Sequence, residues 1–181
     1  MFKKIFPIFL ILIAILGVNS IMANTNFEIL SNSFKNGDTL PMEQVLNAHG
    51  CTGSNISPHL KWQNTPEGTK SFALLVHDPD APMPNGWWHW LVLNIPKNKT
   101  EFQKGETLNA PMLETITDFE TGGYGGACPP IGHGIHHYNF TIHALDVEKL
   151  DIDKNTNPNE VEKLVKSHSL ASATITALYQ R

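Results

Sequence analysis

An antiparallel β-sandwich, mainly β and closed by carboxy-terminal helices, is the fold this sequence predicts. Three observations predict it. Short apolar runs alternate with scattered Pro and Gly; several runs stop at a proline before reaching helical length; and helical periodicity enters only near residue 157.

The first 23 of the 181 residues read as a targeting segment outside the fold. Lys3 and Lys4 make a basic start, Ile5 to Leu16 is apolar, and Ile21-Met22-Ala23 ends on a small residue. That is the layout of a secretory signal peptide. The apolar run is shorter than the roughly 20 residues of a membrane span and contains Pro7. Export to a periplasm or to the medium is expected, with a retained amino-terminal anchor as the alternative. Residues 24–181 form a single domain, long enough for a full hydrophobic core.

Phe27 to Leu30 is the first expected strand. Ser71 to His77 is a buried strand ending at a proline turn, and Trp90 to Ile95 is another, stopped by Pro96. Asn139 to Leu145 alternates and reads as a third. Asn157-Pro158-Asn159-Glu160 offers an N-cap, a proline at the first helical position and an acid at the third. Val161, Leu164 and Val165 then mark an apolar helix face. Leu170 to Tyr179 reads as a second helix, because its alanines favour helix and its apolar residues recur at helical spacing.

Without the leader, eleven basic residues face 17 acidic ones, and Arg181 is the single arginine. A nucleic-acid partner needs a basic stripe to neutralise phosphates, and none is present. Cys51 and Cys128 allow one intramolecular disulfide in an oxidising compartment. Two reduced, buried thiols are the alternative.

Two segments carry the chemistry. His77-Asp78-Pro79-Asp80-Ala81-Pro82 is a rigid turn, since each proline fixes its own φ and drives its predecessor from helix. Asp78, nearest the strand end, is placed to orient an imidazole; Asp80 is as readily a turn cap. In Trp87-Trp88-His89-Trp90 a two-residue period sends Trp88 and Trp90 one way and Trp87 and His89 the other. A histidine among tryptophans is commonly core, but a hairpin would return His89 to the side of Asp78.

The second segment, Gly122 to Gly134, holds six of the 13 glycines and leads into His136-His137-Tyr138. Such loops can present backbone NH groups to an anion. The loop has neither nucleotide-binding spacing. His133, His136, His137 and His143 lie close together, yet neither His-Glu-x-x-His nor paired Cys-x-x-Cys occurs, so no metal or cofactor is expected. On a strand His136 and His137 point oppositely, so one at most enters a pocket. No Gly-x-Ser-x-Gly elbow is present, and Cys128 beside Pro129-Pro130 reads as wall before nucleophile.

These segments resemble the phosphatidylethanolamine-binding protein family, in its bacterial Raf-kinase-inhibitor-like branch. The likeness runs through Gly50 to Trp62, Gly68 to Ala73, Asp78 to Pro82, Trp87 to Trp90, Gly123 to Pro130, His136 to Tyr138 and Ala144 to Asp146. Leu170 to Arg181 also resembles that branch's last helix. The resemblance implies a sandwich of antiparallel sheets and a small pocket for phosphate or a phosphorylated headgroup. By position the pocket residues are Asp78, His89, Ala127, Cys128, His136 and Tyr138. Asp78 would orient an imidazole, His89 and His136 would donate to anion oxygens, Tyr138 would add a hydroxyl, and the backbone at Ala127 and Cys128 would complete the cradle. Cys51 and Cys128 would both lie near that pocket, which favours their pairing. His137 stands where the family commonly has arginine, and Ala127 where proline is frequent.

The function expected is a non-enzymatic binding protein for a phosphate-type anion, a phosphorylated small molecule or a peripheral lipid headgroup. The alternative is a protein-interaction regulator of a kinase or protease; a homodimer is a further partner class. With Arg181 the one arginine, the pocket's positive charge falls to His89 and His136, whose reference pKa is about 6.5. Sulfate-like anions are then expected to bind more tightly near about pH 6 than about pH 8.

Overall fold

The computed structural model describes residues 26–181. The expected leader, 1–23, lies outside them. In chain order the elements are β1 (Glu28–Leu30), a 3-10 turn (Met42–Gln44), β2 (Leu60–Gln63), β3 (Ser71–Asp78), β4 (Trp87–Pro96), β5 (Glu101–Phe102), β6 (Leu113–Glu114), β7 (His136–Leu145), α1 (Pro158–Ser167) and β8 (Ser169–Tyr179). They form a three-stranded sheet, β1-β2-β5, and a five-stranded sheet, β6-β4-β3-β7-β8, in which every pairing is antiparallel. The expected β-sandwich is the fold observed.

The main core lies between the sheets. Ile29, Leu60, Trp62 and Phe102 of the smaller sheet meet Phe72, Leu74, Val76, Val92, Phe140, Ile142 and Ile175 of the larger. A second core forms on the larger sheet's outer face, where Leu75, Trp88, Leu91, Leu93 and Leu145 pack under Val161 and Val165 of α1. The central strands are therefore buried on both faces. That is why β3 and β4 read as continuous apolar runs instead of alternating.

The helix α1 begins as the sequence predicts: Asn157 Oδ1 accepts from the Asn159 backbone NH at 3.0 Å, with proline in the first turn. The second expected helix is a strand. Residues 169–179 pair along β7 from Tyr179↔His136 to Ser169↔Leu145. Ala171, Ala173, Ile175 and Ala177 turn inward while Ser172 and Thr174 face solvent, a period of two. The β-branched Thr174-Ile175-Thr176 run fits a pleated surface, and the open edge of β7 supplies backbone partners that an isolated helix lacks. Non-local pairing outweighs the local preference of the alanines.

A second correction concerns the tryptophans. Between β3 and β4 the register passes from His77↔Trp88 to Val76↔Trp90, leaving His89 as an extra, bulged residue. The bulge breaks the two-residue period, so Trp88 joins the outer core and Trp90 the inner one.

Candidate functional site

The inner face of the larger sheet ends in a cavity of about 290 Å³. Its floor comes from four residues on three strands. Asp78 is the last residue of β3, His89 is the bulge of β4, and His136 and Tyr138 open β7; all four are buried. The walls are largely apolar: Leu46, Pro82, Met83, Trp87, Phe119, Pro129 and Pro130, with Cys128 among them.

Asp78 has both oxygens engaged. Oδ1 accepts from the Asp80 backbone NH at 2.9 Å, closing the proline turn, and Oδ2 accepts from His136 Nδ1–H at 2.7 Å. The carboxylate thus fixes the orientation of one imidazole, as the sequence predicts. His136 Nε2 in turn lies 2.8 Å from Nδ1 of His133, a residue of the exposed 131–135 loop, close enough to share one proton.

His89 Nδ1 lies 2.8 Å from the Gly125 carbonyl oxygen. A carbonyl can only accept, so Nδ1 carries the hydrogen and Nε2 the lone pair. The ring packs edge-on against Tyr138 and Phe119. Burial pushes the His89 pKa down to about 4, although the Gly125 carbonyl and the Asp78 charge act against it. The ring is neutral at ordinary pH. His89 therefore cannot supply the positive charge expected of it between about pH 6 and pH 8, and that part of the sequence expectation fails on desolvation.

Tyr138 is 2% exposed, and its hydroxyl has no hydrogen-bond partner among the described residues. Burial, and then the neighbouring Asp78 carboxylate, raise its pKa, so it stays a neutral hydroxyl. A buried, unpaired hydroxyl costs about 1–3 kcal/mol unless something enters to meet it.

Cys51 and Cys128 form a disulfide, with Cα atoms 6.0 Å apart. Cys128 offers no free thiol to the cavity. Ala127 is not among the lining residues: its side chain is in the main core and its carbonyl accepts from Leu46 NH at 3.1 Å. The glycine-rich loop is likewise spent on structure. Gly125 NH donates to the His89 carbonyl and Gly126 NH to Asn55 Oδ1, at 2.9 and 2.7 Å. A side chain at Gly126 would collide with the backbone of Gln44 and Leu46.

His137, in place of the arginine common in the resembling family, points away from the cavity. Its backbone NH and ring Nδ1 both donate to Asp80 Oδ2 at 2.8 Å. Partial burial pushes the Asp80 carboxyl up, but these two bonds prevail and hold it below the usual range. No group of three or more His, Cys, Asp or Glu side chains among the described residues is placed to hold a metal ion.

Phe119, Leu46 and His49 were not legible as pocket residues, because they come from irregular segments with no motif. Arg181 was equally hidden. Its Nε–H donates to the Pro129 carbonyl at 2.7 Å and its own carbonyl accepts from Gly132 NH at 3.0 Å, bracing the cavity wall from behind.

The sequence profile described as "Phosphatidylethanolamine-binding protein" matches residues 30–180. UPF0098 protein YbhB of Escherichia coli (strain K12) is 45% identical over 157 residues, covering 84% of this chain and 99% of that protein. The crystal structure of E. coli YbcL, described as a new member of the mammalian PEBP family, superposes with a TM-score of 0.84 at 41% identity. It covers 87% of this chain and 99% of that one. A phosphatidylethanolamine-binding protein homologue, CT736 of Chlamydia trachomatis, has a TM-score of 0.74 at 27% identity over 86% of this chain and 97% of its own.

Proposed function

The chain belongs to the phosphatidylethanolamine-binding protein family, and from that premise we propose that it is an exported, non-enzymatic binding protein whose cavity takes a phosphate-type anion. That anion is phosphate itself or the phosphoryl group of a small molecule or lipid head. The observation carrying this reading is the unpartnered, buried Tyr138 hydroxyl beside the Asp78–His136 pair, at the bottom of an otherwise apolar cavity. A desolvated donor strengthens a bond to an incoming oxygen, and the apolar walls exclude competing water. With Cys128 bonded to Cys51, no thiol is free to act as a nucleophile there.

Calorimetric titration with inorganic phosphate tests the pocket. Tyr138→Phe keeps the ring packing and removes one hydroxyl, so affinity is expected to fall about tenfold or more, while the unfolding midpoint of the empty protein holds or rises because an unpaired buried hydroxyl is gone. Unaltered affinity in that variant removes the cavity from consideration. Export is supported by the leader-like 1–23 segment and by a disulfide that oxidising compartments permit. Protein purified from its natural host is expected to begin near Asn24; soluble protein retaining Met1 contradicts export.

A second reading, a protein-interaction regulator, draws on exposed apolar residues around the cavity: Met83 on its wall, and Ile131 and Ile135 on the adjoining loop. In that case Ile131→Ser would abolish capture of a protein partner while leaving phosphate affinity intact.

A further inference from the structure

The donor and acceptor inventory of the cavity floor restricts which phosphoryl groups suit it. His89 Nδ1–H is committed to the Gly125 carbonyl at 2.8 Å, and His89 lines the cavity with Nε2 unpaired among the described residues. A neutral imidazole so held turns a lone pair, an acceptor, toward the ligand. Asp78 adds two more acceptor oxygens, both occupied. His136 Nε2 is met by His133. Two buried groups on the lining lack a partner among the described residues: Tyr138 Oη, which can donate or accept, and Trp87 Nε1–H, a donor on the wall above the floor.

A ligand made only of acceptors cannot satisfy this floor. A phosphodiester or a sulfate would press an oxygen lone pair against the lone pair of His89 Nε2. A phosphomonoester monoanion brings a P–O–H hydrogen to that position and still has oxygens left for Tyr138 Oη–H. We propose that the cavity selects phosphomonoesters carrying a P–O–H group, which donates to His89 Nε2 while Tyr138 Oη donates to a second phosphoryl oxygen. Phosphodiesters and sulfate are disfavoured. This rests on the anion-pocket reading above and narrows its ligand class.

The alternative, protonating His89 so that it donates, is unfavourable in this setting. Burial pushes this ring's pKa down to about 4, so taking up a proton at about pH 7 opposes binding, and an incoming anion would have to offset that desolvation. The titratable groups around His89 are Asp78 and His77 of β3, His136 and Tyr138 of β7, Tyr124 behind the glycine loop and His49 across the cavity. Asp118 turns its carboxylate to the Trp88 backbone NH at 2.7 Å instead.

The test is calorimetry of the wild-type protein with methyl phosphate, dimethyl phosphate and sulfate between about pH 6 and about pH 8. Methyl phosphate is expected to bind at least about tenfold more tightly than the other two near the lower pH. Because a phosphomonoester loses its second proton near about pH 6, its affinity should fall towards tenfold per unit above about pH 7. Sulfate does not titrate in this range, so its slope reports the protein's groups alone. The difference between the two slopes isolates the ligand's own proton. Nitrogen-15 NMR gives an independent readout: His89 Nε2 should remain unprotonated on adding methyl phosphate and shift as an acceptor.

Vesicle flotation separates the sources of a monoester. Retention on phosphatidate over phosphatidylglycerol vesicles supports a lipid monoester, and methyl phosphate binding without retention supports a soluble one. Equal affinities for all three anions, parallel pH slopes or a protonated Nε2 in the complex would overturn the selectivity while leaving the anion pocket standing. No binding by any of the three overturns both.

Discussion

Arg181 illustrates how much of the cavity's shape depends on a residue outside every motif. Its guanidinium holds the Pro129 carbonyl and its backbone holds Gly132 NH, so the 129–132 wall is attached to the end of β8 at two points. Arg181→Ala deletes only the side-chain bond. We expect a loss of about 1 kcal/mol in denaturant unfolding and a several-fold weaker phosphate affinity, because the wall relaxes and the floor is wetted. Full affinity in Arg181→Ala would mean that the wall is held without it. The same residue explains an apparent gap in the chemistry. The one arginine is used for architecture, and the positive charge that families of anion sites often carry on a guanidinium is not in this cavity. His137 does not replace it either, since its ring is spent on Asp80 outside the cavity.

At the level of elements, the disulfide is the strongest single tie across the site. It links the Cys51 turn to the loop that forms one cavity wall, with a sequence separation of 77 residues. On the chain-entropy account, closing a loop of that length restricts the unfolded state by about 4–5 kcal/mol, and measured effects are typically about 2–4. Cys51→Ser combined with Cys128→Ser should lower the denaturation free energy by that amount while the fold persists. A double variant with an unchanged midpoint would show that the tie contributes nothing. The elements also show what could be read in advance. The strand cores at 71–77 and 90–95 were legible because burial on both faces leaves long apolar runs, 139–145 because its apolar residues alternate, and α1 because its cap and proline are local signals. Asp78, His136 and Tyr138 were legible because motif and strand end coincide. β8 was not, since pairing along β7 is a non-local fact that an alanine-rich stretch does not announce. Neither was the parity of the tryptophans. One bulged residue at His89 reverses the facing of Trp90 to Leu93, until a second register shift before Ile95 restores it, and a bulge leaves no mark in residue type.

For the whole molecule, pH is the informative variable. Burial pushes the pKa of both His89 and His143 down to about 4, with Lys166 adding to the effect at His143. In the unfolded chain both rings take up protons near about pH 6.5. Between those values the unfolded chain holds more protons than the folded one, so stability decreases as pH is lowered. The contribution is constant above about pH 6.5, is lost across the window and is gone below about pH 4. Its size is on the order of 3 kcal/mol for the fully buried His89. Thermal midpoints should therefore drop steadily from about pH 7 to about pH 4.5. His143→Gln, which leaves the cavity untouched and can still reach the Ser169 hydroxyl that His143 now meets at 3.1 Å, should flatten that slope. An identical slope in the variant would show that His143 does not titrate as its burial requires.

The floor of the cavity lies on β3, β4 and β7, the three strands with a neighbour on each side, and the sheet they form is covered on both faces. The wall, by contrast, is loop, fastened at a few points. Amide protons in the paired centres of these strands are expected to exchange far more slowly than those of residues 129–135, which local openings of lower free energy can release. Recognition and access are thereby placed on separate clocks. For a ligand held as proposed, affinity would depend on groups fixed by the sheet, and residence time on the loop beside it. Substitutions at Pro129, Pro130 and the adjoining 131–135 loop are then expected to change residence time while the orientation of His136 stays as Asp78 sets it.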